Sequence, residues 1–141
     1  MGGVACAAAL AWFAALCVCD LRERRLPNWL TMPGALAVLT TAAMADRGLP
    51  ALAGAAALFA VYVTVHLLAP EAMGAGDVKL AIGVGALTGA FGIDVWMLAA
   101  MGASLITTAW ALVVARHPEA TVPHGLSMCL AAATAMALVT L

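Results

Sequence analysis

Two aspartates stand where apolar, membrane-length stretches of this chain meet polar turns. Asp20 closes the first stretch and opens Asp20-Leu21-Arg22-Glu23-Arg24-Arg25-Leu26-Pro27-Asn28, whereas Asp77 ends Gly74-Ala75-Gly76-Asp77 and is followed by Val78-Lys79. A charge at the centre of a membrane helix costs roughly 2.5–3.5 kcal/mol on insertion scales, and less toward the ends. Two such acids on one side of a bilayer suit peptide hydrolysis. One ionised carboxylate takes a proton from water, while a protonated partner polarises the amide carbonyl and later serves the leaving amine. The two groups titrate as one coupled pair. Gly74 and Gly76 carry no Cβ, so a backbone or substrate can approach the second acid closely. Each motif also has a plainer alternative. Gly-x-Gly-Asp can be a flexible turn with a solvated acid, and Asp20 an interfacial acid paired with its neighbouring arginines.

The surrounding residues divide in the same way. Lys79 either tunes Asp77 or binds a substrate backbone, or else it is a snorkelling lysine that sets topology. Pro27-Asn28 reads as the turn before a second helix, with Asn28 or Thr31 as its cap. His66 is expected as an interfacial or satisfied histidine, and His117 as a loop residue. Trp12, Trp29, Trp96 and Trp110 are aromatic-belt or packing residues. Asp46, Glu71, Asp94 and Glu119 are loop acids, of which Glu71 alone falls near the proposed site. Asp20 lies at the C-terminal end of its helix and Asp77 at an N-terminal end beside Lys79. The helix dipole therefore assigns the starting proton to Asp20 and the base to Asp77, against the opposing influence of the nearby arginines.

The elements that must position these residues follow from composition. Of 141 residues, 66% are hydrophobic and only 9% charged, with a mean hydropathy of +1.09, whereas soluble domains carry about 25% charged residues. The apolar runs are continuous rather than alternating, which argues against a lipid-facing barrel. The expectation is an all-α membrane protein, a polytopic bundle of six transmembrane helices near 3–19, 30–45, 50–68, 78–92, 95–115 and 122–141. No internal repeat or Pro- or Ser-rich linker divides it, so residues 1–141 form one membrane-embedded domain. The first run lacks a basic n-region and a small-x-small cleavage site, and is kept as a span rather than a signal peptide. Arg22, Arg24, Arg25, Lys79 and Arg116 fall on one face and Arg47 alone on the other, which makes that face cytoplasmic and places Asp20 and Asp77 there. The arginines also attract anionic lipid headgroups. A net charge of −1 offers no basic face for nucleic acid. Cys6, Cys17, Cys19 and Cys129 form no C-x-x-C pair and read as small packed thiols. Gly83, Gly85 and Gly89 let helices approach closely where lipid supplies no hydrophobic drive for association.

Asp-x-Arg-x-x-x-(Ile/Leu)-Pro-Asn at Asp20, Arg22, Pro27 and Asn28, then Gly-x-Gly-Asp-Val-Lys at Gly74, Gly76, Asp77 and Lys79, resembles the prepilin peptidases. These are membrane aspartic proteases of the type IV leader peptidase family. The resemblance extends through Gly85-Ala86-Leu87-Thr88-Gly89 to Val122-Pro123-His124-Gly125, where relatives often show Pro-Tyr-Gly. His124 departs from that pattern and is assigned no role. The length is similar to the compact form found beside tight-adherence pilus systems. Longer relatives carry a cytosolic insert with cysteine pairs and methylate the new N-terminus. This chain has no such insert, so no methyltransferase activity is carried over. Presenilin-like proteases share Gly-x-Gly-Asp but are much larger and use a different first-aspartate motif.

The resemblance implies a multi-pass protein of the bacterial cytoplasmic membrane. It implies cleavage of the N-terminal leader from prepilin or pseudopilin precursors at the cytoplasmic face, just after a glycine, by Asp20 and Asp77. Neither a cofactor nor a metal is called for. Two other readings stand beside it. A small proton-coupled transporter would place its acids near the midplane at broken helices between repeats. A non-catalytic pilus-assembly subunit would use the acids for topology alone.

Overall fold

Six helices follow the six apolar stretches in order: α1 (Gly3–Glu23), α2 (Asn28–Met44), α3 (Gly48–Leu68), α4 (Ala75–Phe91), α5 (Ile93–Val114) and α6 (His124–Thr140). The computed structural model describes residues 2–117, 119 and 122–141, so positions 118, 120 and 121 of the loop 116–121 lie outside the described residues. The result is an all-α membrane bundle. By length and composition α1, α3 and α5, of 21, 21 and 22 residues, can cross a membrane. Helices α2, α4 and α6 have 17 residues each, the lower bound for spanning, about 25 Å at 1.5 Å per residue.

Helix ends depart from the apolar boundaries where local chemistry favours it. α1 runs past residue 19 to Glu23 because Leu21, Arg22 and Glu23 are good helix formers. It stops where Arg24 turns left-handed, with φ of 50° and its N–H bonded to the Asp20 carbonyl. Asp20 therefore sits inside the last turn, not at the helix end. α4 begins at Ala75, which brings Asp77 into its first turn. Neither expected cap of α2 acts as one. Pro27 holds the N-cap position without a side-chain bond. The Thr31 hydroxyl donates back to the Pro27 carbonyl at 3.2 Å, a geometry open to threonine inside a helix, and Asn28 turns outward to Lys79.

The centre of the bundle is α4, which packs against α2, α3, α5 and α6. Eleven of its 17 residues are buried, against three of the 22 in α5. That contrast separates an enclosed helix from one that shows lipid-type side chains such as Met101, Leu105 and Leu112 on its outer face. The α3–α4 contact is backbone against backbone. A Cβ on Gly89 would stand 2.6 Å from the Pro50 carbonyl oxygen and 3.0 Å from Gly54 Cα, and one on Gly85 would stand 2.5 Å from the Gly54 carbonyl oxygen. Without a hydrophobic drive between helices, such close approach and its dispersion contacts hold the pair. Two tryptophans fasten the crossing points. Trp96 Nε1 donates to the Gly54 carbonyl at 3.0 Å, and Trp12 Nε1 donates to the Leu30 carbonyl at 2.9 Å while its ring lies over Gly34 and Gly83. Trp29, 72% exposed, is left to the bundle's polar end.

Gly89→Val forces the α3 and α4 backbones apart. We expect destabilisation at the upper end of the ~1–3 kcal/mol typical of overpacking, read as a lower thermal midpoint in detergent, whereas Gly102→Ala, with 3.3 Å to the Ala131 Cβ, costs far less.

Candidate active site

α6 packs on both α1 and α4, and its first turn joins the last turn of α1 and the first turn of α4 at one end of the bundle. Asp20, 7% exposed, points from the last turn of α1 at the first turn of α6, where the Leu126 N–H donates to its Oδ2 at 2.9 Å. First-turn amides have no partner within their own helix, and their dipoles favour a negative charge. This approach depends on Gly125, because a Cβ there would stand 2.9 Å from Asp20 Oδ2.

Asp77 is the third residue after the Gly74 N-cap of α4, and its carboxylate accepts the Gly74 backbone N–H. That is the reciprocal half of a capping box. The loop that delivers it is pinned from α3, where His66 Nδ1 donates to the Met73 carbonyl at 2.6 Å, so His66 is a satisfied histidine. Lys79 Nζ donates to Asn28 Oδ1 at 2.8 Å, which ties the turn after α1 to α4. Leu26, 9% exposed, fills the space between the two acids' supports, 3.2 Å from the positions that Cβ atoms on Gly76 and Gly125 would take.

Both acids line two adjoining cavities. One, of about 470 Å³, is walled by Leu21, Trp110, Val122, Pro123 and His124. The other, of about 430 Å³, is walled by Arg25, Leu26, Asn28, Gly74, Gly76 and Lys79, and Arg24 borders both. Of the motif residues, Asp20, Asp77, Gly74, Gly76, Asn28 and Lys79 thus converge. Arg22 is exposed in the last turn of α1, and Pro27 supports from beneath as the N-cap of α2. At the polar end, ahead of the apolar stretch 78–92, burial lifts the Asp77 pKa to about 6. The charge of Asp20 adds to this rise and the Gly74 N–H opposes it.

The profile of the type IV leader peptidase family matches residues 7–112, three quarters of the chain and both motifs. The chain belongs to the type IV leader peptidase family. Membership makes it a leader-peptidase-type hydrolase with prepilin-type substrates. Comparison with curated proteins and with solved structures gave no match.

The family match ends before α6, and the structure adds α6 to the site. Tyr62, Thr107 and the Leu126 N–H belong to no motif, and His124 stands in the Val122-Pro123-His124-Gly125 stretch of the resemblance, where its type departs from the pattern. A signal was present for Tyr62, the one tyrosine of the chain, set within an apolar helix. The dipole argument from sequence placed the proton on Asp20. The structure sets the N-terminus of α6 against Asp20 as well, an anion-favouring neighbour that the argument from its own helix does not include.

Gly125→Ala tests that contact. Helix propensity favours alanine by about 1 kcal/mol, so the thermal midpoint is expected to hold. Displacement of the Asp20 carboxylate lowers peptidase kcat by about 10²-fold.

Proposed function

We propose that the protein is a membrane aspartic endopeptidase that removes the N-terminal leader of prepilin or pseudopilin precursors at the cytoplasmic face of the bacterial cell membrane, with Asp20 and Asp77 as its catalytic pair. The observation that carries this reading is the convergence of two carboxylates from separate helices on shared cavities. The basic residues cluster at that same end of the bundle, which supports the cytoplasmic orientation of a multi-pass protein.

Asp20, held by the Leu126 N–H, is the ionised member and Asp77 the protonated one. A water molecule between them loses a proton to Asp20 as its oxygen bonds to the scissile carbonyl carbon. The Asp77 O–H donates to the carbonyl oxygen as charge develops there. Collapse of the tetrahedral species breaks the C–N bond, and the departing nitrogen takes up the proton held by Asp20. The acids are then restored for another cycle. The two cavities give an extended peptide a path across the pair, the apolar side chains of the substrate against Trp110, Val122 and Pro123 and the chain beyond the scissile bond beside Asn28 and Lys79.

Co-expression with candidate precursors tests the assignment. Wild type is expected to shorten the precursor by its leader, read by intact mass, and Asp20→Asn and Asp77→Asn to leave it whole. Normal processing by either variant would remove the proposal.

A pH dependence follows from Asp77. Activity needs its proton, so kcat/KM falls as pH rises through about 6. The folded value lies above the ordinary carboxylate range, so the folded protein binds this proton more tightly than the unfolded chain does. That contribution is complete in acid and is lost as pH rises toward 6. At pH 7.5, Asp77→Asn is therefore expected to stabilise the fold by on the order of 2 kcal/mol while abolishing cleavage, a combination visible by thermal unfolding in detergent.

A further inference from the structure

His124 opens α6 and faces the larger cavity, yet both of its ring nitrogens are engaged behind it. Nε2 lies 2.8 Å from Tyr62 Oη on α3, and Nδ1 lies 2.6 Å from Thr107 Oγ1 on α5. Its ring also sits against that of Tyr62, with centroids 5.5 Å apart. Among the described residues α3 and α6 do not otherwise pack on each other, so the Tyr62–His124 bond bridges a gap between helices. Tyr62 is 5% exposed, which makes its hydroxyl a buried group that depends on this partner.

The first turn of α6 is buried by packing from Gly125 onward, but among the described residues its side chains offer no other polar tie at the helix start. Its N-cap, Pro123, makes no side-chain capping bond, and Gly125 has no side chain. Two residues beyond His124, the Leu126 N–H reaches Asp20. The geometry points to His124 as a positioning residue for Asp20: clamped between Tyr62 and Thr107, it fixes the first turn of α6 so that the Leu126 N–H meets the Asp20 carboxylate. A hydroxyl can donate to or accept from a ring nitrogen, so the clamp accepts either imidazole tautomer. His124 acts through the α6 backbone and itself transfers no proton. The catalytic consequence rests on the peptidase reading above; the structural coupling does not.

Amide hydrogen exchange, resolved by residue with NMR in micelles, reads the coupling without any substrate. In His124→Ala, exchange of the Leu126 amide is expected to quicken by about tenfold or more as its bond to Asp20 loosens, while the Ala132 amide, deeper in α6, is unchanged. His124→Asn retains a group near the Nδ1 position for Thr107, and His124→Gln retains one near the Nε2 position for Tyr62. Both are expected to fall between wild type and alanine, as are Thr107→Val and Tyr62→Phe. In the cleavage assay, kcat of His124→Ala is expected to fall by about 10²-fold with KM little changed, as for a displaced reacting group. Wild-type exchange at Leu126 in His124→Ala would overturn the inference, and so would equal acceleration along all of α6, which would mark general destabilisation. Failure of the wild type to process any precursor would overturn the peptidase reading instead, and the exchange rates would still decide the role of His124.

Discussion

Two carboxylates that share one cavity inside an apolar bundle cannot both be charged cheaply. Like charges repel more strongly in a protein interior than in water, and removal from water adds to the penalty. Each acid therefore leans on a backbone amide: Asp20 on the Leu126 N–H at the N-terminus of α6, from the far end of the chain, and Asp77 on the N–H of its own N-cap, with burial outweighing it there. Under the proposed function, a charge on one carboxylate and a proton on the other is the state that acid–base hydrolysis needs.

The remainder of the bundle keeps that pair in place. α4 is enclosed by four other helices and set against α3 at the distance of bare backbones, so Asp77 is carried on the least movable element. The Lys79–Asn28 and His66–Met73 bonds fix the turns on either side of it. Leu26 closes the floor between the acids with apolar surface. Its place explains why an aliphatic residue precedes Pro27: the left-handed turn at Arg24 folds the chain back under the carboxylates, and only a side chain that tolerates full burial fits there.

The sequence made the helices legible because lipid demands long apolar stretches with every backbone group satisfied within them. Gly-x-Gly-Asp marked the first turn of α4. The glycines of α4 signalled close packing, which Gly85 and Gly89 show against Gly54. Less could be read where a contact joins residues distant along the chain. Nothing near Asp20 reveals that Leu126, 106 residues on, supplies its amide. The clamp on His124 is hidden for the same reason, since a histidine, a tyrosine and a threonine on three helices have no spacing to detect. Asn28 misled because its type suits a cap, whereas its side chain is engaged by Lys79.

Helix length has a consequence of its own. α1 rises about 31 Å over its 21 residues, and its packing partners α2 and α6 about 25 Å over 17 each. The surplus is the polar last turn, Asp20 to Glu23, because the apolar run of α1 is no longer than its partners. That extra turn lifts the Asp20 carboxylate clear of the apolar stretch and brings it level with the opening turn of α6, where the Leu126 N–H meets it, while Asp77 stays with the enclosed α4.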